Sequence, residues 1–125
     1  MNEPVWLLDA AILIAHEISL ANHGGSEGIR DPHLLASALA RPKNLFAYEK
    51  PDLYEMAAAY TLGIVKNHPF VDGNKRTGFL AGAVFLELNG ENLVASEPEA
   101  TRIIIGVAAG AVSEQQLADW YRDNT

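Results

Sequence analysis

Two segments, residues 53–65 and 78–88, carry apolar side chains on nearly every face of a helical repeat, and the polar stretch 68–77 lies between them. A helix that is apolar all round is a buried helix. Two such helices joined by a short turn therefore form the centre of the molecule. The connecting stretch, His68-Pro69-Phe70-Val71-Asp72-Gly73-Asn74-Lys75-Arg76-Thr77, then sits on a rigid support at the start of the second helix.

The rest of the chain reads the same way. Val5 to about Leu20 has a helical apolar pattern, and His23-Gly24-Gly25 ends it. Asp31-Pro32 is a helix cap followed by proline at the first helical position, which predicts a short helix to about Ala40, stopped at Pro42. Two prolines in 42–52, with Phe46 and Tyr48 between them, predict an exposed extended segment or small hairpin. Asp52 caps the first central helix, and Asn89-Gly90 stops the second. Ser96 starts a helix to about Ala109, and Ser113 with Gln116 forms a capping box for a last helix, 114–122. No run has a convincing strand period, so the expectation is an all-α fold.

A length of 125 residues predicts one domain, 1–125. A net charge of −7 disfavours a general nucleic-acid surface, so a phosphate ligand has to be held by local cations. The absence of cysteine excludes disulfides, zinc–thiolate sites and thiol nucleophiles. Met1-Asn2-Glu3-Pro4 lacks the basic start of a signal peptide. The longest apolar runs, such as Gly78–Leu86 and Ile103–Val112, fall short of the ~20 residues that span a bilayer. The expectation is a cytoplasmic protein without a membrane partner.

Within 68–77 each residue has a chemical and a structural reading. The His68 imidazole can act as a base near neutral pH, or cap the last carbonyls of the preceding helix. Asp72 can hold magnesium together with substrate phosphates, or serve as a turn aspartate. Gly73 and Asn74 can both adopt positive φ and form an anion nest, or make an ordinary turn. Lys75 and Arg76 fall in a first helical turn, where cations oppose the helix dipole unless an anion is nearby. Pro69 and Phe70 read as structural, with Phe70 packing inward. His16, His23 and His33 lack metal-site spacing and read as surface or packing residues.

The run from His68 to Arg76 resembles the signature of the Fic/Doc family, H-x-F-x-[D/E]-G-N-G-R-x-x-R, in its death-on-curing (Doc) form. Lys75 stands where Fic enzymes have glycine, and Phe79 where they have the last arginine. His23-Gly24-Gly25, Gly28–Asp31, Leu35–Pro42, the Tyr48 and Asp52 region and Phe85–Gly90 look like the same branch, so the resemblance covers roughly 16–110. It implies a compact Fic-type helical bundle with ATP and Mg2+ as cofactors. It also implies transfer of the terminal phosphate to a Ser/Thr hydroxyl of a translation factor, elongation factor Tu in Doc-type toxins. His68 is then the base, Asp72 the metal ligand, and Gly73, Asn74, Lys75 and Arg76 the phosphate site, with His68, Asp72 and Lys75 catalytic. A flap near 43–51 would dock the target as an added strand through Leu45, Phe46, Ala47 and Tyr48. No internal inhibitory [S/T]-x-x-x-E-[G/N] segment matches, which implies a separate cognate antitoxin that binds as a helix near the site. The alternatives are an AMP transferase using the same base and metal, and a catalytically degenerate binding module.

Overall fold

The helix between Leu53 and Asn67 (α3) is the axis of the structure, a computed structural model that describes residues 2–125. Met1, the first residue of the 1–125 reading and of the Met1–Pro4 segment, lies outside the described residues. The other helices are α1 (Asp9–His23), α2 (Pro32–Tyr48), α4 (Asn74–Leu88), α5 (Glu97–Ala108) and α6 (Glu114–Asp123). No strand occurs among the described residues, only a single bridge between Ile29 and Phe70. The fold is all-α, as the apolar periodicity requires.

α3 packs on α2, α4 and α6, and α4 also packs on α1 and α5. Met56, Ala57, Ala58, Ala59, Tyr60, Ile64 and Val65 of α3 are all buried, which accounts for the apolar residues on every face of that segment. Small residues let α3 and α4 approach closely. A Cβ at Gly78 would come within 2.7 Å of Val65 and 3.0 Å of the Thr61 carbonyl. One at Gly82 would come within 2.5 Å of both the Thr61 and the Tyr121 hydroxyls. Those hydroxyls form a chain across three helices. Thr61 donates to the Gly78 carbonyl at 2.8 Å and accepts from Tyr121, 2.7 Å away. Burial pushes the Tyr121 phenol pKa well above its usual value, so it remains a donor.

The caps read from sequence are present. Asp52 and Glu55 form a reciprocal box at α3, as do Ser113 and Gln116 at α6. Asp31 accepts from the N–H groups of His33 and Leu34, with Pro32 at the first position of α2, and Ser96 caps α5.

Two expectations are corrected. α2 does not stop at Ala40 but runs through Pro42 to Tyr48, so residues 43–48 are helix and not hairpin, and only 49–51 lie outside it. The backbone at Leu45 is committed to the helix, its carbonyl accepting from Glu49 N–H at 2.9 Å. Leu45 and Phe46 are half-buried, Phe46 edge-on to Trp6, while Ala47 and Tyr48 are exposed. Leu45, Phe46, Ala47 and Tyr48, expected to dock the target as an added strand, are thus helical and not extended. An interior proline costs a helix about 3 kcal/mol. Here Pro42 is itself buried beside Leu35, Ala38 and Leu39, and packing outweighs the lost N–H. The second correction is at the N-terminus, where Val5–Leu8 is an extended strap and not the start of α1. Leu7 is buried and its N–H donates to the Tyr60 hydroxyl at 3.3 Å, while Val5 exchanges two hydrogen bonds with the Asn89 side chain.

Gly82→Ala should lower unfolding stability by about 1–3 kcal/mol, because the added methyl meets two fixed hydroxyls. Equilibrium urea denaturation checks this; an unchanged midpoint would show that α4 can shift away from α6.

Candidate active site

The α3–α4 connection is shaped by Phe70. Its ring is buried and stacks on His16 of α1 at 3.9 Å between centroids. Asn74, only 7% exposed, holds the Phe70 backbone from both sides: Oδ1 accepts from the Phe70 N–H and Nδ2 donates to the Phe70 carbonyl, each at 3.0 Å. The sequence allowed Asn74 positive φ and a place on the phosphate. Asn74 is the first residue of α4, and its side-chain oxygen and nitrogen each hold the Phe70 backbone. Of Gly73 and Asn74, it is Gly73 that takes positive φ, at 78°.

Gly73 is also the N-cap of α4, and no side chain caps this helix. The first intrahelical bond runs from Thr77 N–H to the Gly73 carbonyl at 3.0 Å. The N–H groups of Asn74, Lys75 and Arg76 thus have no partner within the helix, and they point from a dipole end that favours anions. Lys75 and Arg76 are exposed, and among the described residues neither takes part in an ion pair.

Asp72 projects beside this end. Its Oδ2 accepts from Ser26 N–H at 3.2 Å and its Oδ1 from Gly73 N–H at 2.8 Å. These bonds, Ser26 first, lower its pKa, with a smaller contribution from the charge on Lys75. The carboxylate therefore remains ionised at neutral pH, as a magnesium ligand must. The Asp72 carbonyl is held by the Nε2–H of His16 at 2.8 Å. His16 is 4% exposed and sits with Ile12 and Ser19 on the buried face of α1. It is a packing residue, as expected, but one that also fixes the loop.

His68 closes α3 as its C-cap, in the left-handed region at φ 49°, ψ 55°. It is the only non-glycine at positive φ among the described residues, a conformation that costs roughly 1–2 kcal/mol for a residue with a Cβ. His68 lies at the surface, not in the core.

One cavity of about 800 Å3 gathers these groups. His68, Asp72, Gly73, Asn74, Lys75 and Arg76 line one end, Phe79 and Leu80 continue along α4, and α1 and α5 form the walls. The volume lies within the range of small-molecule sites. The walls add Ser19, Asn22, His23 and Thr101, which sequence reasoning had not placed there. A polar residue repeated on the buried stripe of α1, at His16 and Ser19, was the available signal.

The residues suit a magnesium nucleotide. The ion is commonly bound by one or two carboxylates plus substrate phosphates, and Asp72 supplies one. No cluster of three acidic or histidine side chains able to hold a metal is found among the described residues, so the remaining ligands of an ion at Asp72 would be waters or substrate phosphates. No helix among the described residues is long and apolar enough to cross a membrane.

Comparison with known proteins agrees with this geometry. Residues 6–86 match the Fic/DOC family, a span that includes the whole connection and most of α4. The chain is 32% identical over 112 residues to the protein named Protein kinase doc of Escherichia phage P1, covering 89% of this chain and 88% of that one. It is 43% identical over 76 residues to Toxin Doc of Mycolicibacterium smegmatis, covering 58% of this chain and 57% of that one. The chain belongs to the Fic/Doc family, among the Doc-type toxins.

Asn74→Ala should destabilise the protein by about 2 kcal/mol or more, since it strands the buried N–H and carbonyl of Phe70. Chemical denaturation measures it; a loss below ~0.5 kcal/mol would mean that water replaces both bonds.

Proposed function

We propose that this chain is a protein kinase that moves the terminal phosphate of ATP onto a serine or threonine hydroxyl of a translation factor in the cytoplasm. Elongation factor Tu is the target that the Doc resemblance implies, and a relative 32% identical is named a protein kinase. The observation that carries the reading is the convergence of an uncapped helix start, two unpaired cations, an ionised carboxylate and an imidazole on one cavity.

The chemistry follows from those placements. The triphosphate lies against the N–H groups of residues 74–76, and Lys75 and Arg76 balance its charge. Asp72 is the protein ligand for Mg2+, which supplies charge neutralisation to the phosphates when bound. His68 takes the proton from the incoming hydroxyl. The hydroxyl oxygen bonds to the γ-phosphorus, the bond from that phosphorus to the β–γ bridging oxygen breaks, and ADP leaves. Phe79 supports phosphate over AMP transfer. It packs among Trp120 and Tyr121, so the second turn of α4 offers an aromatic ring where Fic enzymes carry arginine.

Neutralisation by a cognate antitoxin belongs to the same reading, in keeping with a relative named a toxin. Ile18 of α1 and Ile105 of α5, 53% and 55% exposed, stand at the cavity walls. An amphipathic helix laid between them would cover both and close the phosphate end.

The test uses purified elongation factor Tu, magnesium and ATP labelled at either the α or the γ phosphate. The expected result is γ-label on the factor, with transfer abolished in His68→Ala and folding retained because the residue is exposed. Transfer of α-label would make the chain an AMP transferase. No transfer of either label would favour a binding module.

A further inference from the structure

We infer that Arg30 is a positioning residue for His68, setting the backbone conformation from which that histidine reaches the cavity. The inference rests on the reading of His68 as the base. Arg30 Nε donates to the His68 carbonyl at 2.6 Å, and a terminal nitrogen of the same guanidinium donates to the Asn67 carbonyl at 2.8 Å. These carbonyls belong to the peptide units on either side of the His68 Cα. Two rigid planes joined at one carbon have only two rotations between them, φ and ψ. A planar fork that holds the oxygen of each plane limits both rotations together.

The surrounding bonds extend this hold. The Pro69 carbonyl accepts from Arg30 N–H at 2.7 Å and from Asp31 N–H at 3.0 Å. Val71 N–H donates to the Gly28 carbonyl at 3.0 Å. Three successive carbonyls, of residues 67, 68 and 69, are therefore occupied by residues 30 and 31.

The arrangement answers a local problem. Pro69 disfavours the right-handed helical region for the residue before it. His68 is thus left with an extended conformation, which carries the chain away from α4, or with the left-handed one at φ 49°. The guanidinium favours the latter. Its charge also sits at the C-terminal end of α3, where the helix dipole favours a cation. Lysine cannot reproduce the hold, because an ammonium has no planar fork matched to two carbonyls. Arg30 itself is exposed, so its removal leaves no cavity in the core.

The experiment compares the whole unsubstituted chain with Arg30→Met and Arg30→Lys. Residual dipolar couplings report the His68 backbone angles. Steady-state transfer of γ-labelled phosphate to elongation factor Tu gives kcat and KM for ATP. In Arg30→Met, His68 should leave the left-handed region and kcat should fall by about tenfold to a hundredfold, with KM for ATP little changed. Arg30→Lys should lie between Arg30→Met and the unsubstituted chain, and it carries the comparison if Arg30→Met does not fold. A His68 that keeps φ near 49°, or a kcat that stays at the unsubstituted value, overturns the inference. Should the unsubstituted chain transfer nothing, or His68→Ala remain active, the reading of His68 as base fails instead. The couplings alone then decide whether Arg30 sets its conformation.

Discussion

The pair of hydrogen bonds between the Asn74 amide and the Phe70 backbone is the constraint on which the site depends. It closes the connection from α3 to α4 into a small ring whose inside is the Phe70 side chain, buried against His16. Once Phe70 is inward, Val71 and Asp72 are driven outward, and Gly73 must turn the chain at positive φ to start α4. The position of the carboxylate, the absence of a capping side chain and the exposure of the first N–H groups all follow from that one closure. Three helices meet in it, since α1 supplies the stacking ring and the bond to the Asp72 carbonyl.

Electrostatics gives the site its meaning. The chain carries a net charge of −7, yet it places two cations in the first turn of a helix whose dipole already opposes them. The starts of α1, α3, α5 and α6 carry acid, at Asp9, at Glu55, at Glu97 with Glu99, and at Glu114, while α2 has none in its first turn but is capped by Asp31. At α4 the two cations coincide with the lack of a side-chain cap, a lack that α1 shares but combines with an acid, Asp9, in its first turn. Local departures from the stabilising rules are expected at functional sites, and here both departures have the same remedy, an anion at the end of the helix.

Much of the fold was legible because its signals are local. The boundaries of α3 and α6 rest on boxes spanning four residues, and the start of α2 on the Asp31-Pro32 pair. What failed depended on distant packing. Pro42 reads as a stop until its burial against the core is known, and that error turned half a helix into a flap. The apolar run at Val5–Leu7 looked helical, but its partners are Tyr60 and Asn89, far along the chain. Within the site, one cavity brings together His68, Asp72, Gly73, Asn74, Lys75 and Arg76, which the motif sets side by side. The clamp that the Asn74 side chain makes on Phe70 was not legible, because it depends on the loop closing first. Arg30 and His16 contribute from separations of 38 and 56 residues, which no spacing rule reveals.

The central claim is that the start of α4 grips the phosphates of a nucleotide. Amide chemical shifts of the isotope-labelled protein, titrated with magnesium and a non-hydrolysable ATP analogue, test it most directly. The account predicts that the largest shifts fall on the N–H groups of Asn74, Lys75 and Arg76, with Gly73 and Ser26 following as Asp72 changes partners. Shifts confined to the far end of the cavity, around Thr101 and Ile105, with residues 73–76 unmoved, would contradict it.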